Sequence, residues 1–260
     1  MGRFEWLEFD YNKDTHADVK ESESLKLNAE QFINKAKKAF EMGDYEYAIR
    51  YYSKALNLNN YILEAWKGQL LALLCLGQYN DVITWSDHAM QFIDDPFFTA
   101  AKAFALNRMG AHNEALQMTD ITLSSTKADW FCWLVRGDVL LSLGNVANAE
   151  FCFLKSIEYV PDDWFVYMLI GICYLSAKRY HNAIEYLYKA LKNKKENPLI
   201  CFHLANAYDK VNNVNSAITY IQLAIKLKPN FDEAHKMLKR LKRKEFIFKL
   251  FNFIRSNRKV

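Results

Sequence analysis

The chain predicts an all-α fold, a solenoid of stacked helix–turn–helix repeats. Three observations carry this. Gly43, Gly77, Gly110 and Gly144 lie 34, 33 and 34 residues apart, and Lys178 and Asn212 continue the rhythm. Five residues after each of these runs a second column: Ala48, Val82, Ala115, Ala149, Ala183 and Ala217. Eight Gly and four Pro in 260 residues are too few for a loop-rich or all-β chain and suit long helices joined by short turns. A period in this range belongs to supersecondary units that stack on their neighbours, not to one globular core.

The period divides the chain into an acidic and aromatic arm (1–28), six repeats (29–62, 63–96, 97–129, 130–163, 164–197 and 198–231) and a basic segment (232–260). In the first repeat Phe32, Lys35, Ala36 and Ala39 are spaced for one face of a helix that stops at Met42-Gly43-Asp44. A second helix follows with Ala48, Tyr52 and Ala55 on one side, ending near Asn59-Asn60. Small residues let two helix backbones approach, and the larger aromatics fill the space between them. The glycine between the helices supplies the backbone freedom that the tight turn needs.

The later repeats keep the same columns. Repeat four has Trp133, Gly137, Leu140, Gly144, Ala149, Phe153, Ser156 and Pro161; repeat five has Tyr167, Gly171, Tyr174, Ala183, Leu187 and Ala190. Repeat six has Ala205, Tyr208, Ala217, Ile221, Ala224 and Pro229. In these residues the chain resembles the tetratricopeptide repeat family over about 29–231. The resemblance implies a right-handed superhelical α-solenoid, with the first helix of each repeat lining a concave groove that holds an extended or helical peptide. There are departures. Thr99 stands in the first aromatic slot of repeat three, which is one residue short, and Lys178 and Asn212 replace the turn glycine. The closing proline is missing or displaced after repeats one, two, three and five. One branch of the family grips chaperone C-termini with Lys and Asn side chains. Ile33 and Lys37, or Leu134 and Asp138, stand where that clamp is required, so chaperone-tail binding is excluded.

The first helices carry a second apolar stripe, offset from the one that packs. It reads Ile33 in repeat one, Leu71 and Leu74 in two, and Phe97 and Phe104 in three. Repeat four has Phe131, Leu134, Val135 and Leu141; repeat five has Phe165, Met168, Leu169, Ile172 and Leu175; repeat six has Phe202. A helix apolar all round expects to be covered. These side chains either bury one another in a tightly wound stack, or are covered by the chain's own arm, or receive an apolar peptide or amphipathic helix of another protein. The last is the reading taken, with Asp138, Asn107, Arg108, His203, Asn206, Asp209 and Lys210 as polar groups to fix the partner's register.

The two ends carry their own signals. Phe4, Trp6, Leu7, Phe9 and Tyr11 alternate with Glu5, Glu8 and Asp10, so the arm is expected to dock on its own first repeat, to lie in the groove of the same molecule or a neighbour, or to recognise another protein. Docking in a neighbour would give head-to-tail self-association. Residues 232–260 hold ten Lys/Arg against three Asp/Glu, whereas the whole chain is only +4, so the basicity is local to this segment. Asp232 to Lys244 reads as a solvating cap helix. Lys242 and Arg243 with Phe246, Phe248 and Phe251 then form a basic and aromatic run that either packs on the last repeat, meets a partner, or contacts a membrane surface.

Other classes are excluded by what the residues lack. The six histidines lie in different units, no two cysteines of the five form a CxxC, and there is no HExxH, GxSxG or phosphate-cradling Gly-rich loop. Neither catalysis, nor a cofactor, nor a metal is expected. Outside its basic segment the body is near neutral, so the phosphate attraction that drives nucleic-acid binding is missing and no nucleic acid is expected. The opening MGRFEWLEFD does not read as a secretory signal, and the longest apolar run, Trp164 to Leu175, is shorter than the roughly 20 residues of a membrane span. The expected compartment is the cytoplasm, with peripheral membrane contact left open.

Overall fold

The computed structural model describes the backbone of residues 19–257 and the side chains of residues 28–247. Among the described residues every regular element is an α-helix. In order these are α1 (Val19–Glu41), α2 (Tyr45–Leu58), α3 (Leu63–Cys75), α4 (Tyr79–Ala89), α5 (Pro96–Arg108), α6 (His112–Ser124) and α7 (Trp130–Ser142). There follow α8 (Val146–Tyr159), α9 (Trp164–Ser176), α10 (Tyr180–Asn193), α11 (Pro198–Lys210), α12 (Val214–Leu227) and α13 (Asp232–Asn257). The chain forms two compact units, Met1–Leu143 with α1–α7 and Gly144–Val260 with α8–α13. The boundary falls inside the fourth predicted repeat, between its two helices.

In the first unit α1 packs on α2, α2 on α3, α3 on α4 and α5, and α5 on both α6 and α7. In the second, α9 packs on α10, α10 on α11, α11 on α12, and α12 on α13, with α9 also reaching α11. The small-residue column is the reason these helices can approach. Ala48, Val82, Ala115, Ala149, Ala183 and Ala217 are all fully buried.

The turn column is equally uniform. Gly43, Gly77, Gly110 and Gly144 have φ of 73°, 70°, 92° and 83°, and Lys178 and Asn212 sit at 59° and 61° in the same left-handed region. The substitutions that break the sequence pattern therefore leave the backbone unchanged. The next residue's N–H reaches back to a carbonyl that the helix end would leave unsatisfied: Asp44 to Ala39 at 2.8 Å, Arg179 to Tyr174 at 2.9 Å and Asn213 to Tyr208 at 2.9 Å.

The first helices of repeats three to six begin on a third column. Asp95, Asp129, Asp163 and Asn197 are each 34 residues apart, and the side-chain oxygen of each accepts from the N–H of the residue two positions on, at 2.9, 3.0, 2.7 and 2.9 Å. A carboxylate here satisfies an orphan donor and opposes the positive end of the helix dipole.

At the start, α1 begins inside the predicted arm, because VKESESLKLNAE contains neither Gly nor Pro and is rich in helix formers. At the other end, α13 turns Ala234, Met237 and Leu241 inward, where they are buried. Arg240 and Lys244 on the same helix bind the Asp209 carboxylate at 2.7 and 2.8 Å, and Lys244 also donates to Asn212 at 3.0 Å. The segment expected as a cap helix from Asp232 to Lys244 lies within α13, which runs on to Asn257. The aromatic residues of the arm (Phe4 to Tyr11) and the side chains of Phe248 and Phe251 lie outside the described residues.

Candidate peptide-binding face

In the first unit the expected face falls on α3, α5 and α7. Phe97 and Phe104 on α5 and Phe131 and Leu134 on α7 are all buried. The Phe97 and Phe131 rings stack at 4.5 Å, and Phe104 lies 6.4 Å from Phe131. The expectation that these aromatics stand open is therefore corrected: neighbouring first helices cover them. Leu71 and Leu74 on α3 are half-buried.

Asp138 also departs from the expected role. It is 1% exposed, and its carboxylate accepts from Arg108 at 2.8 Å and from Asn107 at 2.7 Å. Asn107 also donates to Ser142 at 3.1 Å, and its carbonyl oxygen faces His112 Nδ1 at 2.6 Å. The Arg108 guanidinium lies 4.6 Å from the Phe104 ring centroid. A buried carboxylate survives only when paired and hydrogen-bonded, and this one is both. The three polar groups chosen as partner-facing in repeats three and four instead bind one another.

Lys67 on α3 was not anticipated. It bridges Asp95 at 3.3 Å and Asp129 at 2.9 Å, the caps of α5 and α7, and lies 5.0 Å from the Phe97 ring centroid. Burial pulls its ammonium down, but the bonds and charges of Asp129 and Asp95 outweigh that and hold it above its usual pKa. The signal for this cluster was in the sequence, as the 34-residue column of Asp95, Asp129, Asp163 and Asn197.

In the second unit Phe165 and Met168 on α9 are buried, again against expectation. Ile172 and Leu175 on α9 and Phe202, His203 and Asn206 on α11 are half-buried. Phe202 lies 5.0 Å from the Phe231 ring and 5.5 Å from His203. Burial pushes the His203 imidazole down to about 4, so it is neutral near pH 7. Lys210 is exposed, and Asp209 is occupied by α13.

The reactive groups are held quiet. Burial pushes the thiols of Cys75 and Cys132 up to about 12 and that of Cys201 to about 11, so they stay protonated and poorly nucleophilic. Tyr174 and Tyr186 both donate to Glu150, and burial followed by that carboxylate raises both phenols well above their usual value. Among the described residues no three His, Cys, Asp or Glu side chains converge as metal ligands would.

Two overlapping stretches, 134–198 and 174–241, match family models described as tetratricopeptide repeat. Together these matches span 134–241, and the helix pairing and turn columns of the chain are those of a tetratricopeptide repeat fold. The chain is similar to an uncharacterised protein of Methanocaldococcus jannaschii, 38% identical over 53 residues, or 20% of this chain and 62% of that one. Among solved structures, a chain of the APC/C hetero-tetramer Cut9–Hcn1 has the same fold, with a TM-score of 0.53 at 18% identity over 85% of this chain. The match spans 46% of that chain, so both relatives extend well beyond the part they share with this protein. YrrB, described as a TPR protein with an unusual peptide-binding site, is 18% identical with a TM-score of 0.42, over 86% of this chain and 98% of its own.

Proposed function

We propose that this protein is a non-enzymatic adaptor that holds an apolar peptide or an amphipathic helix of another protein against its first helices. The observation that carries this reading is the half-buried stripe on α9 and α11: Ile172, Leu175, Phe202, His203 and Asn206. These side chains are apolar or neutral and only partly used by the unit's own packing. A partner can therefore gain by covering them, while Asn206 offers both donor and acceptor to set register. The buried Phe165 and Met168 serve as the rigid backing of that face. Leu71 and Leu74 on α3 form a smaller face of the same kind in the first unit. Buried, protonated thiols and the resemblance to tetratricopeptide repeats fit a binding role better than chemistry.

The test is selection of a random peptide library on the immobilised full chain, followed by affinity measurement against Ile172→Asp and Phe202→Asp. Enriched peptides should be apolar or amphipathic and should lose about tenfold or more in affinity in either variant, as expected for a contact at the centre of a face. Peptides that bind both variants as tightly as the parent, or a library that yields no binders, would overturn the assignment.

A further inference from the structure

The α13 helix uses its cations in two ways. Arg240 and Lys244 are held by Asp209, on the side where Ala234, Met237 and Leu241 are buried. Lys242 and Arg243, between them in sequence, are exposed and make no ion pair among the described residues. Four positions on from Lys242 stands Phe246, 68% exposed, and four on from Arg243 stands Ile247, 52% exposed. Residues four apart share a helix face, so the two unpaired cations border the two exposed apolar side chains. The stripe that anchors the helix, at 234, 237 and 241, does not lead to 246 or 247.

The sequence prolongs this pattern. Leu250, Phe253 and Ile254 follow Phe246 at helical spacing, and residues 242–260 carry seven Lys/Arg against one Glu. Leaving large apolar side chains such as Phe246 and Ile247 facing water is unfavourable relative to burying them. No helix among the described residues is long and apolar enough to cross a membrane.

We propose that this face of α13 is an interfacial anchor that docks the protein on an anionic lipid surface. Apolar groups enter the headgroup boundary while Lys242 and Arg243 meet lipid phosphates and carboxylates. Charge complementarity selects this occupant. The stripe offers cations and hydrocarbon but no exposed acid or amide, which suits a fluid negative surface that needs no fixed register. Anchoring leaves the α9 and α11 faces to a protein partner, so the proposal stands apart from the adaptor reading.

The experiment is flotation of the full chain with phosphatidylcholine vesicles, with and without phosphatidylserine, at low and high salt. Binding should require phosphatidylserine and weaken with salt. It should fall about tenfold or more in Phe246→Glu/Ile247→Glu and in Lys242→Glu/Arg243→Glu, with circular dichroism melts unchanged because all four side chains are solvent-facing. Failure to float with anionic vesicles at low salt would overturn the proposal, as would flotation that ignores both double variants. Phe246-dependent dimers in light scattering, without flotation, would assign the stripe to a second copy and also overturn it.

Discussion

Arg108 holds Asp138 at 2.8 Å across 30 residues of sequence, one at the end of α5 and the other in the middle of α7. The pair joins two successive first helices. Because Asn107 and Ser142 complete the network, neither charge is left without compensation.

Removing one member should therefore cost far more than removing both. Asp138→Leu removes the carboxylate that Arg108 and Asn107 share in a largely buried site and is expected to cost about 3–5 kcal/mol. Arg108→Leu combined with Asp138→Leu should cost clearly less than the two single losses added together. Urea denaturation of the single and double variants measures the difference, and strict additivity would show that the two groups do not act as a pair.

The buried aromatics should report on stability. Phe131, 1% exposed and stacked on Phe97, is expected to cost about 3–5 kcal/mol when changed to alanine, and Met168 about 2–5 kcal/mol. Ile172→Asp, on the half-buried stripe, should lower the midpoint much less. If calorimetry ranks Ile172→Asp as the most damaging of the three, the burial pattern is misassigned.

Lys178 offers a gain. Its φ of 59° places a side chain where glycine is free and other L-residues pay in steric strain. Lys178→Gly should raise stability by about 1 kcal/mol, and Gly77→Ala, at a φ of 70°, should lower it by a similar amount. Both are read as shifts in urea midpoint. A loss in Lys178→Gly would mean that the lysine side chain does something the backbone does not show.

His203 predicts a pH dependence with a definite sign. Its ordinary value is 6.5 and burial lowers it to about 4 in the folded chain. Between those values the unfolded chain takes up a proton that the folded one refuses, so stability falls as pH drops from 6.5 towards 4 and is fully present above 6.5. His203→Gln cannot take up that proton and should flatten this part of the profile. Melting temperatures from pH 7.5 down to pH 4.5 give the comparison; parallel curves for parent and variant would remove His203 as the cause.

Much of the fold was legible because its determinants are local or periodic. The Ala48 column marks helix crossings, and the Gly43 column marks left-handed turns. Lys178 and Asn212 could be placed in that column by spacing alone, even though neither residue type announces it. The capping column of Asp95, Asp129, Asp163 and Asn197 was equally periodic but went unread, and with it Lys67, whose two carboxylate partners lie 28 and 62 residues ahead. The apolar stripe of the first helices does not all stay open. Phe97, Phe104, Phe131, Leu134, Asp138, Phe165 and Met168 are buried, whereas Leu71, Leu74, Ile172, Leu175, Phe202, His203 and Asn206 keep part of their surface.

By itself the sequence determined the repeat length, the helix pairs and the turns, since each depends on residues a few positions apart or on the same position one period later. Which side of each first helix meets its neighbour was decided only by the tertiary structure. The α9 helix, WFVYMLIGICYLS, is apolar around its whole circumference, so periodicity marks no inward face. Whether a side chain there is covered depends on how two helices cross and how closely their small residues let them approach. That is a relation between segments, and no single stretch of chain contains it.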